Sequence, residues 1–240
     1  NRGRGIIPGG NQNPGVVQTI DYITIQSMGN AVEFGTLTGG ESGMGCCASS
    51  TRGCSGGGSN NPSSNNVIDY ITIATTGNAT DFGDLTAAYA QLRGLSNSIR
   101  GVFAGGYISP AETNLMSYIT IASTGNAQDF GDLTGFNGTG KGGASSPVRF
   151  VLGGGYGTSP HFMNTIEFVQ IATTGDSADF GDFQGFGRRL GTNGTSNNQN
   201  AGGGSKDTKI SSAPPDSGII DIPFYSPLDS DICLLYTSDA

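Results

Sequence analysis

The segment Asp21-Tyr22-Ile23-Thr24-Ile25 is a short run of β-branched and aromatic residues that the chain repeats three more times. It returns as Asp69-Tyr70-Ile71-Thr72-Ile73, as Ser117-Tyr118-Ile119-Thr120-Ile121 and, more diverged, as Glu167-Phe168-Val169-Gln170-Ile171. The aromatic position moves through 22, 70, 118 and 168, so the period is 48, 48 and 50 residues. A second marker agrees, because Arg4, Arg52, Arg100 and Arg149 each precede a Gly-Gly pair by five residues. Self-similarity at a period near 50 predicts a solenoid, a propeller or another array of units.

Within one unit the pattern is that of short strands joined by tight turns. In the third unit, residues 100–107 form an apolar run that ends in a glycine pair, and residues 116–122 alternate in the manner of a strand. Residues 123–126, Ser-Thr-Gly-Asn, are typical of a hairpin turn because glycine and asparagine tolerate a positive φ. Residues 129–134 give a third strand, and the stretch between Thr134 and Arg149 has room for a fourth. We therefore predict an all-β fold of four-stranded antiparallel units.

Four antiparallel strands and a period of about 48 residues are typical of a β-propeller blade. The third unit resembles a kelch repeat, in which a glycine pair closes the second strand and aromatic residues lie in the third and fourth. Those positions are Gly105-Gly106, Tyr118 and Phe130. The resemblance covers about residues 4–197, although the chain lacks the tryptophan that kelch blades commonly carry. It implies a β-propeller of kelch-like four-stranded blades, with repeats at about residues 4–51, 52–99, 100–148 and 149–197.

The remaining residues keep only traces of the repeat. Residues 198–232 are interpreted as a degraded fifth unit, since Ala201-Gly-Gly-Gly204 matches the glycine pair and Ile219-Ile-Asp-Ile222 matches the third strand. Residues 233–240 match no repeat and are interpreted as a non-native tail. The pattern starts in mid-unit, so we expect a piece of a larger propeller. The amino-acid sequence of the repeats is also similar to that of kelch-type repeats in marine phage and bacterial surface proteins.

Composition excludes some classes of partner. The net charge is -8 and only 11 of 240 residues are Lys or Arg, so the chain cannot offer the basic surface that nucleic acids require. No apolar run approaches the roughly 20 residues of a membrane span. Cys46, Cys47 and Cys54 flank a short turn, so a cross-strand disulfide is one interpretation and small buried side chains are the favoured one. Cys233 lies in the tail.

Motifs that suggest catalysis have structural explanations. Asp-Phe-Gly starts at residues 81, 129 and 179, but the other kinase signatures are missing, and we interpret it as a turn followed by a packed phenylalanine. Residues 135–142, which include Lys141, resemble a Walker A loop, but Gly142 replaces the magnesium-binding Ser or Thr, which favours an inter-strand loop. His161 is the single histidine and has no nucleophile motif beside it. We therefore predict no catalytic residue, no cofactor and no enzymatic activity.

Paired carboxylates three residues apart are the candidate metal ligands. Calcium prefers oxygen ligands, so each pair could bind it together with turn carbonyls, while capping of turn amides by aspartate is the favoured interpretation. The pairs are Asp81/Asp84, Asp129/Asp132 and Asp179/Asp182, and the first unit breaks the pattern with Glu33 and Thr36.

The variable loops are the candidate binding surface. In an antiparallel meander the connections alternate between two ends, so the loops after the glycine pair and after the Phe-Gly segment share one end. The segments that differ among units are residues 11–15, 59–66, 108–114 and 157–164, with 135–143 and 188–189 beside them. The candidate ligand contacts there are Tyr107, Tyr156, His161 and Phe162.

These patterns predict a non-enzymatic recognition or structural module of a virion or cell surface. The expected partner is a protein or glycan on a surface, or further copies of the chain, and the expected location is extracellular or virion-associated. Two other interpretations stay open: a non-catalytic propeller domain of a larger secreted enzyme, and an intracellular adaptor of the kelch kind.

Overall fold

Short antiparallel strands make up the regular secondary structure of the chain. The computed structural model describes residues 3–60, 62–135, 139–157, 162–187 and 190, and among these residues there are strands and turns but no helix. The predicted all-β class is therefore confirmed. The runs rich in Val, Ile, Thr and Tyr form the longest strands, since such side chains pack well on a pleated surface that is buried on one face.

The strands form four successive antiparallel sheets. The first sheet contains β1 (Arg4–Pro8), β2 (Thr19–Thr24) and β3 (Val32–Thr36). The second contains β4 (Gly45–Ala48), β5 (Arg52–Gly56), β8 (Val67–Thr72) and β9 (Thr80–Asp84). The third contains β10 (Arg93–Ser96), β11 (Arg100–Ala104), β14 (Leu115–Thr120) and β15 (Gln128–Asp132). The fourth contains β16 (Gly142–Ser145), β17 (Arg149–Gly153), β18 (Thr165–Gln170) and β19 (Ala178–Asp182).

Two small hairpins lie in the loops between the second and third strands of a sheet. They are β6 (Ser59–Asn60) with β7 (Ser63–Ser64), and β12 (Tyr107–Ile108) with β13 (Ala111–Glu112). All pairings among the described strands are antiparallel, so the sheets are meanders and not the parallel coils of a β-helix.

The sheets are offset from the repeats in the sequence. A strand does form between Thr134 and Arg149, but this strand, β16, pairs with β17, which belongs to the next unit. Each of the second, third and fourth sheets takes its first strand from the chain that precedes its marker arginine. The chain therefore crosses from one sheet to the next between the last strand of one and the first strand of the other.

The Asp-Phe-Gly triplet forms a bulge in the last strand of the second, third and fourth sheets, and Glu33-Phe34-Gly35 does the same in the first. The register between β14 and β15 shifts at Met116/Ser117, opposite Gly131, whose φ of +130° suits glycine. The Oδ1 atom of Asp129 accepts a hydrogen bond of 3.2 Å from the amide of Gly131, and Asp81 and Asp179 do the same for the glycines two residues later. The sequence predicted that this aspartate ends a turn, whereas in the structure it lies in the last strand and caps the glycine of the bulge.

The hydrophobic core lies between neighbouring sheets, in three layers that we call the first, second and third joints. The first joint packs Ile6, Ile20 and Phe34 of the first sheet against residues of the second that include Ile71 and Ile73. The second and third joints repeat this arrangement around Phe82 and Phe130. A single sheet cannot cover its own apolar faces, so each sheet depends on its neighbours for stability.

The glycine of each bulge permits close contact between sheets. A Cβ atom at Gly131 would lie 2.5 Å from the carbonyl group of Gly175 in the fourth sheet, whereas a Cβ atom at Gly181 would meet nothing within 4 Å. The two residues have similar φ values, +130° and +135°. A side chain at either position would therefore have a similar backbone strain, but only a side chain at Gly131 would also collide with the neighbouring sheet.

We expect Gly131→Ala to destabilise the protein by about 1–3 kcal/mol more than Gly181→Ala does, which is the usual cost of overpacking. Urea unfolding of the two variants measures the difference. Equal losses of unfolding free energy would mean that the turn around Gly175 does not rest on β15.

Candidate functional site at the loop end of the sheets

The two ends of the sheets carry different connections. In the third sheet, residues 97–99 and 121–127 connect strands at one end, which we call the turn end. Residues 105–114, and the described residues 133–135 and 139–141 of the crossing to the fourth sheet, lie at the opposite end, which we call the loop end. The antiparallel registers therefore place together the two sets of loops that vary most in sequence.

The repeated Thr-Gly-Asn turns at the turn end form hydrogen bonds with the last strand of the preceding sheet. The amide of Gly125 donates to the carbonyl of Phe82 at 2.7 Å, and the amide of Ala127 donates to the carbonyl of Asp84 at 2.7 Å. The Oδ1 atom of Asn126 accepts a hydrogen bond of 3.1 Å from the amide of Asp84. The first and third joints use the same contacts through Asn78 and Asp176. The near-identity of these turns thus follows from their role in joining sheets.

The marker arginines also join sheets. The guanidinium of Arg52 lies 4.4 Å from the ring centroid of Tyr70 in its own sheet, and its Nη1 donates to the carbonyl of Ile121 in the next sheet at 2.8 Å. Arg4 and Arg100 make equivalent contacts. A guanidinium over an aromatic face is attracted by the ring quadrupole, so each arginine is held while it spans the joint.

At the loop end, backbone hydrogen bonds join the described residues of each loop to the neighbouring crossing, and we call these loops and crossings the rim. Tyr107, in the loop of the third sheet, exchanges backbone hydrogen bonds of 2.7 and 3.1 Å with Ala90, in the crossing from the second sheet. Ser59 exchanges the same pair of bonds with Ser42, and the amide of Tyr156 donates to the carbonyl of Thr139 at 2.8 Å. Backbone hydrogen bonds therefore position the described residues of three variable loops, as a binding surface on a rigid scaffold requires.

Three of the four candidate ligand contacts fall within the described residues. Tyr156 and Phe162 lie edge to face with ring centroids 5.7 Å apart, and Phe162 is 52% exposed. Tyr107 is half-buried and belongs to the loop of a different sheet. His161 lies outside the described residues. The structure therefore brings together two of the named side chains and places the third in the same rim.

A shallow groove that the sequence did not reveal lies in the rim beside the first sheet. Its volume is about 670 Å³, and its lining comes from the loop before β2, the start of the first crossing and the β6–β7 hairpin. The lining includes Gln12, Pro14, Val16, Gln18 and Asn60. The variable segment 11–15 pointed to this region, but its residues carry no pattern that predicts a groove.

The candidate calcium ligands do not form a cluster in the described part of the chain. No three His, Cys, Asp or Glu side chains there are arranged to hold a metal ion. Asp81, Asp129 and Asp179 instead cap the amides of the bulge glycines, which agrees with the capping role that the sequence favoured. The second members of the pairs, Asp84 and Asp132, contribute backbone amides to the joints.

The largest polar feature in the core was missed by sequence reasoning. Lys141 is fully buried, and its Nζ lies 2.9 Å from Oε1 of Glu167, whose side chain is 2% exposed. Ser177 donates to Oε2 of the same carboxylate at 2.6 Å. Burial favours the neutral acid, but Lys141 and the hydrogen bonds outweigh it and lower the pKa of Glu167. The lysine of the Walker-like segment is therefore committed to the third joint and does not lie in an open loop.

The cysteine pair Cys47 and Cys54 is free. The two residues lie directly opposite each other on β4 and β5, and both thiols are buried. The pKa of the Cys47 thiol is raised, mainly by its hydrogen bond with Cys54 and next by its burial. The favoured interpretation as small buried side chains therefore holds for this pair.

The chain matches no known family model, and no curated protein is significantly similar to it. Among the described residues, none form a helix that is long and apolar enough to cross a membrane.

Proposed function

We propose that this chain is a non-enzymatic recognition module that binds a glycan or protein through the loop end of a kelch-like β-propeller. We place it on a virion or cell surface, outside the cell. The observation that carries the proposal is the difference between the ends: the turn end is repeated and used in packing, whereas the loop end varies in sequence and its described residues are hydrogen-bonded to one another.

The propeller arrangement is supported by the way the sheets approach one another. The first strand β10 lies beside both β4 and β16, the first strands of the two neighbouring sheets, as strands around a common axis would do. A Cβ atom at Gly94 of β10 would lie 2.3–2.5 Å from the backbone of Cys46 in β4, so these strands come very close. Glycine in a strand often marks such close backbone approach.

The binding role of the rim is supported by its side chains. Phe162 is an exposed aromatic residue held against Tyr156, and aromatic anchors of this kind dominate many binding interfaces. The non-enzymatic role is supported by the motifs that resemble catalytic ones, because their residues make structural contacts: the Asp-Phe-Gly triplets form bulges and Lys141 forms a buried ion pair.

Exchange of one hairpin tests the proposal. Residues 107–112 and 59–64 are both six-residue hairpins with the same strand register, so Tyr-Ile-Ser-Pro-Ala-Glu can be replaced by Ser-Asn-Asn-Pro-Ser-Ser with that register kept. We expect wild-type protein to bind members of a glycan array or intact cells measured by flow cytometry. The exchange should weaken that binding at least about tenfold, with the unfolding free energy changed by about 0.5 kcal/mol or less.

A matched control is replacement of the exposed turn residue Thr124 by Ser, at the turn end of the same sheet. This change should alter neither binding nor stability. Binding that survives the hairpin exchange but is lost on alteration of the Thr-Gly-Asn turns would place the site at the turn end and contradict the proposal. Failure of the wild-type protein to bind any glycan or cell would also contradict it.

A further inference from the structure

The fourth sheet exposes residues that are buried in the other three. The phenylalanine of the Phe-Gly bulge is 3% exposed at Phe34, 3% at Phe82 and 2% at Phe130, but 54% at Phe180. The first three are covered by the following sheet. The exposed surface of the fourth sheet around Phe180 and Gly181, which we call the trailing face, is therefore one half of a joint.

The first sheet exposes the other half. The isoleucine after its second strand, Ile25, is 44% exposed, whereas the equivalent Ile73, Ile121 and Ile171 are 0%, 0% and 1% exposed. Those three are covered by the preceding sheet. The surface of the first sheet around Ile25 and Asp21, which we call the leading face, is the surface that a trailing face covers at each joint.

The polar groups of the two faces also match. In the first joint, the amide and hydroxyl of Thr38 donate to Asp69 at 2.9 and 2.8 Å. The residue that corresponds to Asp69 on the leading face is Asp21, so the leading face again presents a carboxylate. Arg149 stacks on Phe168 at 4.4 Å, as the other marker arginines stack on their own sheets. Arg52 donates across the second joint to the carbonyl of Ile121, and Arg149 and Ile25 are the residues at these two positions of the repeat on the exposed faces.

We propose that a second copy of this chain covers these faces, so that the trailing face of one copy packs against the leading face of the next. The fit continues an interface that the chain already makes three times internally. Two different faces of the same chain meet, so the contact is heterologous and leaves a free face at each end of a dimer. Association would then continue to longer assemblies or close into a ring. The inference rests on the joints alone and does not depend on the binding role of the rim.

Lysine substitution on each face of the full 240-residue chain tests the proposal. Ile25→Lys disables the leading face and Phe180→Lys the trailing face; both residues are exposed, so neither change should prevent folding. We expect wild-type protein to form dimers and larger species as its concentration rises, measured by light scattering after size exclusion. Each variant alone should associate at least about tenfold more weakly. An equimolar mixture should form dimers and nothing larger, because each variant keeps one intact face.

Met28→Lys is the matched control for the leading face. Met28 lies on the same turn of the first sheet and is fully exposed, and the equivalent Thr76, Thr124 and Thr174 stay exposed in the joints. This variant should associate like the wild type. A wild-type chain that stays monomeric at every concentration would overturn the proposal, and protection of Ile25 and Phe180 from solvent in that monomer would assign both faces to contacts within one chain. Circular dichroism confirms that each variant is folded, and Phe180→Ser should repeat the result of Phe180→Lys.

Discussion

Phe130→Ala should be among the most damaging single substitutions in this chain, with an expected loss of about 3–5 kcal/mol in the free energy of unfolding. Phe130 is 2% exposed and lies in the third joint, where its ring also contacts Tyr118 edge to face at a centroid distance of 5.9 Å. Removing the ring takes buried apolar surface from the core and leaves a cavity between two sheets that cannot collapse independently. Urea unfolding followed by circular dichroism measures the loss.

The repeat provides the control for this substitution. Phe180 occupies the same position in the fourth sheet, in the same Asp-Phe-Gly sequence, and its ring lies 6.0 Å from Phe168 in the same edge-to-face geometry. It is 54% exposed, so Phe180→Ala should cost about 1 kcal/mol or less when the protein is dilute enough to be monomeric. Comparable losses for the two variants would show that stacking within a sheet, rather than burial between sheets, stabilises the protein.

The sequence predicted the strands and turns because their signals are local and occur four times. Each appearance of the Tyr-Ile-Thr-Ile pattern fell in a strand, and each Thr-Gly-Asn turn connected the expected pair. The assignment of the first strand to the following sheet could not be predicted in this way. Residues 142–145, Gly-Gly-Ala-Ser, carry almost no apolar pattern, and their pairing with β17 depends on which neighbour lies within reach after the chain turns.

The candidate site was predictable in location but not in detail. Alternation of the connections in a meander is enough to place the variable loops at one end. The groove beside Gln12 is lined by residues from two sheets, and Tyr156 and Phe162 meet from opposite sides of one loop. Predicting either feature requires knowing which residues are neighbours in space. Sequence variation among units identifies where loops differ and says nothing about the shape they form.

The buried polar contacts in each joint could not be predicted from the sequence, because they too depend on three-dimensional neighbours. The same position in the third strand is Asp69, Ser117 and Glu167 in the three joints, and each meets a different partner from the crossing that leads into its sheet. The hydroxyl of Thr38 donates a hydrogen bond to Asp69, the hydroxyl of Thr86 lies 2.5 Å from that of Ser117, and Lys141 forms an ion pair with Glu167. A lysine in a glycine-rich stretch normally signals a solvated loop, and only the carboxylate 26 residues later makes its burial favourable. These differences also make the joints chemically distinct, which favours one order of sheets.

Removal of Lys141 should have the second large effect, because it leaves Glu167 buried without a counter-charge. We expect Lys141→Met to lower the unfolding free energy by about 3–5 kcal/mol at pH 7. The double variant Lys141→Met, Glu167→Gln removes both charges and should recover much of that loss, since a buried pair contributes little net stability compared with neutral side chains of similar size. Urea unfolding of the wild type, both single variants and the double variant gives the coupling energy.

The pH dependence of the single variant distinguishes loss of the ion pair from loss of packing. In the wild type the pKa of Glu167 is lowered, so its contribution is complete above the unfolded pKa and is lost as pH falls through the folded value. In Lys141→Met, burial without a cation should raise this pKa, and the variant should gain stability as protonation neutralises the carboxylate. Its deficit relative to wild type should therefore shrink between pH 7 and pH 5, while that of the double variant stays constant. Glu41 and Asp69, whose pKa values are raised mainly by burial, are present in every chain and cancel in these differences. A single-variant deficit that does not change with pH would mean that Lys141 stabilises the joint by filling space and not by its charge.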